Sequence, residues 1–266
     1  MKLLIHDFYV GFRAKLYLSH VGKVLRRAIL NHRLQANQDV APCFIVGCGH
    51  SGTSLLVSIL DEHPKVKALN GENYDFWVWS SPRKIREKFT ETFLNINEDA
   101  MIPLEKTPKH IHCLDEIFRC YPRAKVIYLH RDPRAVVPSL MNRGSRVSQA
   151  INRWIYDNRA IKKYEHDERV CKLSFEQLVK FPKKNIENIC NFLGVEFDVA
   201  TLEHHKTKRD WYGSNVNHRL HAQRRYQQIN KAIDASYADK WKSTTSPDLI
   251  KKNRAQVLIS NVVVGV

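Results

Sequence analysis

Short, wholly apolar runs alternate along the chain with stretches in which apolar side chains recur every three or four residues, the pattern of strands buried on both faces and joined by amphipathic helices. A polar linker near residues 35–42 ends in Pro42, and Cys43 to Val46 is the first apolar run. Thr53 to His63 has helical periodicity and stops at Pro64, and Val66 to Leu69 reads as a second strand that runs into Asn70, Gly71 and Glu72. Helices are predicted over 82–97 and over Pro108 to Cys120, the latter closed by Pro122. The run Lys125 to His130, KVIYLH, is the second strong strand. It leads into Arg131 and Asp132, and Pro133 stands at the first position of the next helix. A long helix over Val147 to Tyr164, a strand over Val170 to Leu173 and two helices between about Ser174 and Leu193 complete the pattern. This alternation predicts one α/β domain over 41–266, with a central, mainly parallel sheet flanked by helices. Its basic, polar segment over 204–254 reads as lid-like, and the apolar ending VLISNVVVGV reads as an edge strand or a tail.

Residues 1–40 read as a basic, amphipathic helical arm, with apolar Phe8, Phe12, Leu16, Val21, Val24, Leu25 and Ile29 interleaved with Lys23, Arg26, Arg27 and Arg33. Two readings stand for it: packing on the domain, or peripheral contact with an anionic membrane. His6, Asp7, Arg13 and Lys15 interrupt the apolar start and spoil a signal-peptide core, and no stretch approaches the roughly 20 apolar residues of a bilayer span. The six cysteines are scattered with no CxxC pair, so reduced thiols and a cytoplasmic location are expected, without zinc or another metal. At 266 residues and 43% hydrophobic content the chain can bury a sizeable core, and its formal charge of +16 calls for an anionic partner. Nucleic acid, a phosphorylated cosubstrate, an acidic glycan and an anionic membrane all meet that requirement.

The run Phe44 to Ser58, FIVGCGHSGTSLLVS, narrows the choice, because it packs a strand, a glycine-punctuated turn and a helix start into the layout of a phosphate-binding loop. Gly47, Gly49 and Gly52 let backbone N–H groups converge on an anion, and the helix adds the positive end of its dipole. His50, Ser51, Thr53 and Ser54 supply the remaining backbone and hydroxyl donors. Against the ATPase pattern GxxxxGK[ST], Gly47, Gly52 and Ser54 fit, but Thr53 stands where the nucleotide-binding lysine belongs. A second segment, HRDPRAVVPSLMNR over 130–143, places Arg131 at a strand end and Ser139 eight residues later in the helix, suited to a second phosphate. Arg134 and Arg143 are secondary candidates for phosphate or acceptor contacts.

Together these segments resemble the sulfotransferases that use 3'-phosphoadenylyl sulfate, in which an [RK]SGT loop grips the 5'-phosphosulfate and an Arg with a Ser eight residues later grips the 3'-phosphate. HSGT over 50–53 and the pair Arg131 and Ser139 occupy those places. The Gly71–Glu72 pair after the loop helix and the run Glu105, Lys106, Thr107, Pro108 are most similar to the tyrosylprotein and bacterial carbohydrate branches. The resemblance implies 3'-phosphoadenylyl sulfate as cosubstrate, no metal, and transfer to an acceptor hydroxyl. Carbohydrate is the first expectation for the acceptor, with tyrosine or a lipid-linked sugar next. It further implies Glu72 as general base and Lys106 as the cation beside the sulfuryl group. Trp241, in a weaker KWK match over 240–242, would lie near adenine.

His50 departs from the family, which carries Arg or Lys there. A histidine is half-charged near pH 6.5, and adjacent phosphate charge raises that value, so a protonated His50 is expected to act as electrophile or general acid in the loaded enzyme, with activity falling above neutral pH; the alternative is that His50 only donates N–H hydrogen bonds to the phosphosulfate. Two other readings remain. A P-loop kinase would need a lysine in the loop and a carboxylate for Mg²⁺, for which Asp132 is the obvious candidate. A basic nucleic-acid-binding protein would use the charge along 204–231, although the best-defined anion site is not a recognition helix or an aromatic-rich sheet.

Overall fold

A computed structural model describes residues 41–69, 72, 102–209 and 229–244. The predicted N-terminal arm, the helix over 82–97, most of the basic segment over 204–231 and the apolar C-terminal run lie outside the described residues. Among those described, the order is β1 (Cys43–Gly47), α1 (Thr53–Leu60), β2 (Val66–Ala68), β3 (Ile102–Lys106), a 3₁₀ turn (Pro108–His112), α2 (Leu114–Cys120), β4 (Lys125–His130), α3 (Pro133–Met141), α4 (Val147–Arg159), a 3₁₀ turn (Ala160–Tyr164), β5 (Val170–Ser174), α5 (Phe175–Lys180) and α6 (Pro182–Leu193). A 3₁₀ segment (Val199–Lys206), a short 3₁₀ turn (Ala235–Ala238) and α7 (Trp241–Thr244) follow.

The five strands form one sheet in the order β2-β3-β1-β4-β5, and every neighbouring pair is parallel. Both faces are covered, which is why β1 and β4 read as unbroken apolar runs. Cys43 and Ile45 of β1, with Ile127 and Leu129 of β4, pack on one face against α1, α5 and α6. Phe44 and Val46, with Val126 and Tyr128, pack on the other against α2 and the preceding turn. The chain leaves β1 toward β2 and leaves β4 toward β5, in opposite directions. A crevice therefore opens at the carboxyl ends of β1 and β4, where ligands of open parallel sheets bind.

The predicted sheet and flanking helices are observed, with three local differences. Helix α1 ends at Leu60, and His63, predicted as its end, instead bonds through its ring to the Glu196 carbonyl. The helix predicted over Pro108–Cys120 is broken at Cys113 into a 3₁₀ turn and α2, and the one over Val147–Tyr164 passes into a 3₁₀ turn at Ala160. The third is β3, a fully buried inner strand that the sequence reading did not recognise. Pro103 and the charged Glu105 and Lys106 argue locally against a strand. Parallel pairing with β1 and β2 overrides them, and the turn that follows satisfies the buried glutamate: Glu105 Oε2 lies 2.8 Å from His110 Nδ1, and Thr107 Oγ1 donates to Glu105 Oε1 at 2.5 Å.

The segment after α6 is tied back onto α1 by Arg209, whose guanidinium pairs with Asp61 and Glu62 at the end of that helix. Beside it His204 is fully buried, and burial, followed by the neighbouring His205, lowers its pKa to about 4. Folding thus disfavours the imidazolium. The native protein binds fewer protons than the unfolded chain between pH 4 and the ordinary histidine value near 6.5, so this contribution is intact above that value and is lost as pH falls through the window. Urea melts at pH 5 and pH 7.5 are expected to show His204→Gln losing less stability on acidification than wild type, by about 1–2 kcal/mol. Equal losses would exclude His204 as the titrating group.

Candidate active site

The loop after β1 has a backbone that few sequences allow. Gly47 sits at φ 150°, and a Cβ there would meet the Leu129 carbonyl oxygen of β4 at 2.3 Å. Gly52, the residue before α1, sits at φ 94°, and a Cβ there would run into the Phe175 ring at 2.3 Å. Both positions require glycine. Between them His50 adopts φ 73°, among the described residues the only non-glycine in the left-handed region. That conformation costs on the order of 1–2 kcal/mol and marks sites that use it. The first turn of α1 contains no acidic residue and its N-cap carries no side-chain hydrogen bond, so the positive end of the helix is uncompensated by the helix itself. Ser51 is fully buried, and among the described residues its hydroxyl has no hydrogen-bond partner.

The second anion segment comes to the same place. His50 Nδ1 and Ser139 Oγ are 2.7 Å apart, across 89 residues of chain. Arg131, at the end of β4, donates from Nη1 to the His50 carbonyl at 3.4 Å and from Nη2 to the Tyr237 carbonyl at 3.3 Å. Its guanidinium stacks 4.0 Å from the centre of the Phe175 ring, and Trp154 Nε1 donates to its main-chain carbonyl at 3.0 Å. Desolvation lowers the Arg131 pKa, opposed by the carboxylates of Glu176 and Asp132, yet a guanidinium stays charged. Its Nε is buried and unpartnered among the described residues. A buried, fixed cation with an unused donor, next to an unused hydroxyl on Ser51 and an open helix end, fits an anionic ligand with two phosphate groups.

Asp132 is otherwise engaged. It caps α3 by accepting from the Arg134 N–H at 2.7 Å and pairs with the Arg134 guanidinium, while its own N–H donates to Glu176 Oε1 at 3.0 Å. A carboxylate committed in this way is not placed to hold Mg²⁺, which removes the residue that the kinase reading needed. Among the described residues no group of three or more His, Cys, Asp or Glu is arranged to hold a metal, and all six cysteines are free thiols. Arg134 lies 3.9 Å over the Trp241 ring, so Trp241 stands beside the Arg131 end of the crevice. Arg143 lies just beyond α3, after the Asn142 C-cap, with its N–H donating to the Leu140 carbonyl.

Glu72 and Lys106 also meet. In the parallel register Lys106 stands beside Ile45 of β1, which carries it to the carboxyl edge of the sheet, and its Nζ donates to Glu72 Oε1 at 2.7 Å. The lysine side chain is 2% exposed and the glutamate 17%. Each compensates the other's charge where water cannot. The structure thus brings His50, Ser139 and Arg131 into contact, and Glu72 with Lys106. Sequence reasoning missed Phe175, which fills the space over Gly52 and under Arg131, and Tyr237, whose carbonyl holds Arg131. No local motif announces either.

A model of the Sulfotransferase family matches residues 77–199. A putative protein-tyrosine sulfotransferase of Caenorhabditis briggsae is 27% identical over 240 residues, covering 79% of this chain and 83% of the relative. Protein-tyrosine sulfotransferase 1 of Danio rerio is 25% identical, over 77% of this chain but 66% of the relative's own length. The Homo sapiens protein of that name is 24% identical, over 83% and 68%. Among solved structures, the sulfotransferase domain from the curacin biosynthetic pathway superposes with a TM-score of 0.63 at 20% identity, over 83% of this chain and 98% of that domain. Mouse sulfotransferase SULT7A1 complexed with PAP does so with a TM-score of 0.53 at 14% identity, over 88% of each chain. The structural likeness establishes the fold. The sequence similarity that runs along most of the chain is to sulfotransferases, protein-tyrosine sulfotransferases among them.

Proposed function

We propose that the protein transfers the sulfuryl group of 3'-phosphoadenylyl sulfate to the phenolic hydroxyl of a tyrosine in an acidic polypeptide. The observation that carries the cosubstrate is the contact of His50 with Ser139 and Arg131, which joins the loop after β1 and the β4–α3 turn into one site with two anion-binding ends. The loop and the start of α1 take the 5' end of the cosubstrate, and Arg131 with Ser139 takes the 3'-phosphate. Glu72 accepts the acceptor's proton as the phenolic oxygen bonds to sulfur. The bond from sulfur to the bridging phosphate oxygen breaks, and adenosine 3',5'-bisphosphate leaves with that electron pair. Lys106 balances the charge that develops on the oxygens around sulfur.

Support for tyrosine comes from the relatives described above, whose names specify protein tyrosine, and from the +16 charge, which favours acidic sequence around the acceptor. The carbohydrate acceptor expected from sequence finds no support in those names. The test is transfer of labelled sulfate from the cosubstrate to a peptide bearing one tyrosine among aspartates, to its phenylalanine analogue, and to an acidic glycan. Label on the tyrosine peptide alone is expected. Label on the glycan alone would overturn the acceptor, and absence of transfer to any hydroxyl would overturn the activity.

A further inference from the structure

The loop has His50 where the sulfotransferase pattern it resembles has Arg or Lys, and the His50 ring is turned toward Ser139, at the 3'-phosphate end. Arg131 stands at that same end. The Gly49 backbone is met by Arg153 from α4: a Cβ built on Gly49 would lie 2.9 Å from Arg153 Nη2. The guanidinium therefore lies against the loop main chain.

Arg153 is not consumed by the protein. Its single ion pair among the described residues is with Asp157, one helical turn on, where Nε and Oδ2 are 3.5 Å apart, too long for a strong hydrogen bond. The other Asp157 oxygen is 2.8 Å from His112 Nε2, and the carboxylate also meets the buried Cys48 thiol, whose pKa is raised by desolvation first and by Asp157 second. Asp157 is thus a buried anchor behind the loop that sets the direction of Arg153. The arginine side chain is 39% exposed, and its Nη2 lies beside Gly49 of the loop. A surface i,i+4 pair would account for a few tenths of a kcal/mol and for no particular contact with Gly49.

We propose that Arg153 is the permanent cation of the loop, meeting the 5' end of the bound cosubstrate from α4 and supplying the charge that His50 provides only when protonated. This rests on the sulfotransferase reading above. Asp157 acts as its positioning residue.

Calorimetric titrations with adenosine 5'-monophosphate, adenosine 3'-monophosphate and adenosine 3',5'-bisphosphate separate the two ends of the site. Arg153→Gln is expected to weaken both ligands that carry a 5'-phosphate by about 10- to 100-fold, the value of a charge-assisted contact, while leaving the 3'-monophosphate within about twofold. Arg153→Lys should recover most of the loss. An equal loss for all three ligands, or no loss for any, would overturn the assignment, the first outcome showing a general structural role. If wild type binds none of the three, the sulfotransferase reading falls and this inference falls with it.

Discussion

Arg131→Ala is expected to abolish measurable binding of adenosine 3',5'-bisphosphate in calorimetric titration, a loss of more than about 100-fold. The guanidinium is buried, held flat on Phe175 and pinned by the His50 and Tyr237 carbonyls, so its direction is set before any ligand arrives. Preorganisation of this kind makes a bidentate contact to phosphate strong, because little side-chain entropy remains to be lost. Arg131→Lys keeps the charge and loses the planar fork and the stacking, and it should fall between wild type and alanine. A melting temperature within a few degrees of wild type would separate lost recognition from lost structure. Retained affinity in the alanine variant would remove the 3'-phosphate site from this crevice.

Glu72→Gln should lower kcat by about 10²- to 10⁴-fold with little change in the KM for cosubstrate, since a general base acts on the acceptor's proton and not on the nucleotide. Lys106→Ala should lower kcat similarly. The two side chains are joined by a 2.7 Å contact and Lys106 is almost wholly buried, so their effects are not independent. The double variant should cost clearly less than the product of the two single losses, as residues that act in one step do. If Glu72→Gln keeps kcat within a few-fold of wild type, the base lies elsewhere. If the double loss is multiplicative, the pair does not act as a unit.

Much of this architecture was legible along the chain because it rests on local chemistry. β1 and β4 announced themselves because strands covered on both faces must be apolar throughout. The loop announced itself because Gly47 and Gly52 occupy positions where a side chain would collide with Leu129 and Phe175. Pro133 marked a helix start, and in the structure Asp132 caps α3. β3 escaped notice for the opposite reason. It buries a proline, a glutamate and a lysine; Thr107 and His110 in the turn that follows satisfy Glu105, and Glu72, 34 residues away, pairs with Lys106. Arg153 escaped because an arginine on an amphipathic helix looks like any solvated residue until its neighbour is known.

The sequence by itself determined a parallel α/β fold, a phosphate-type loop, a second basic turn and the residues that fill them. All of these follow from periodicity, from glycine's backbone freedom and from helix-end chemistry within a few residues. Only the tertiary structure decided that the two segments form one site. Strand order placed β4 beside β1, so Arg131 and Ser139 came to His50, and the β3 register brought Lys106 to Glu72. It also put Arg153 at Gly49 while Asp132 was taken by Arg134. Such contacts depend on which strands are neighbours, and that is set by burying both faces of the sheet at once, which no stretch of chain can do alone.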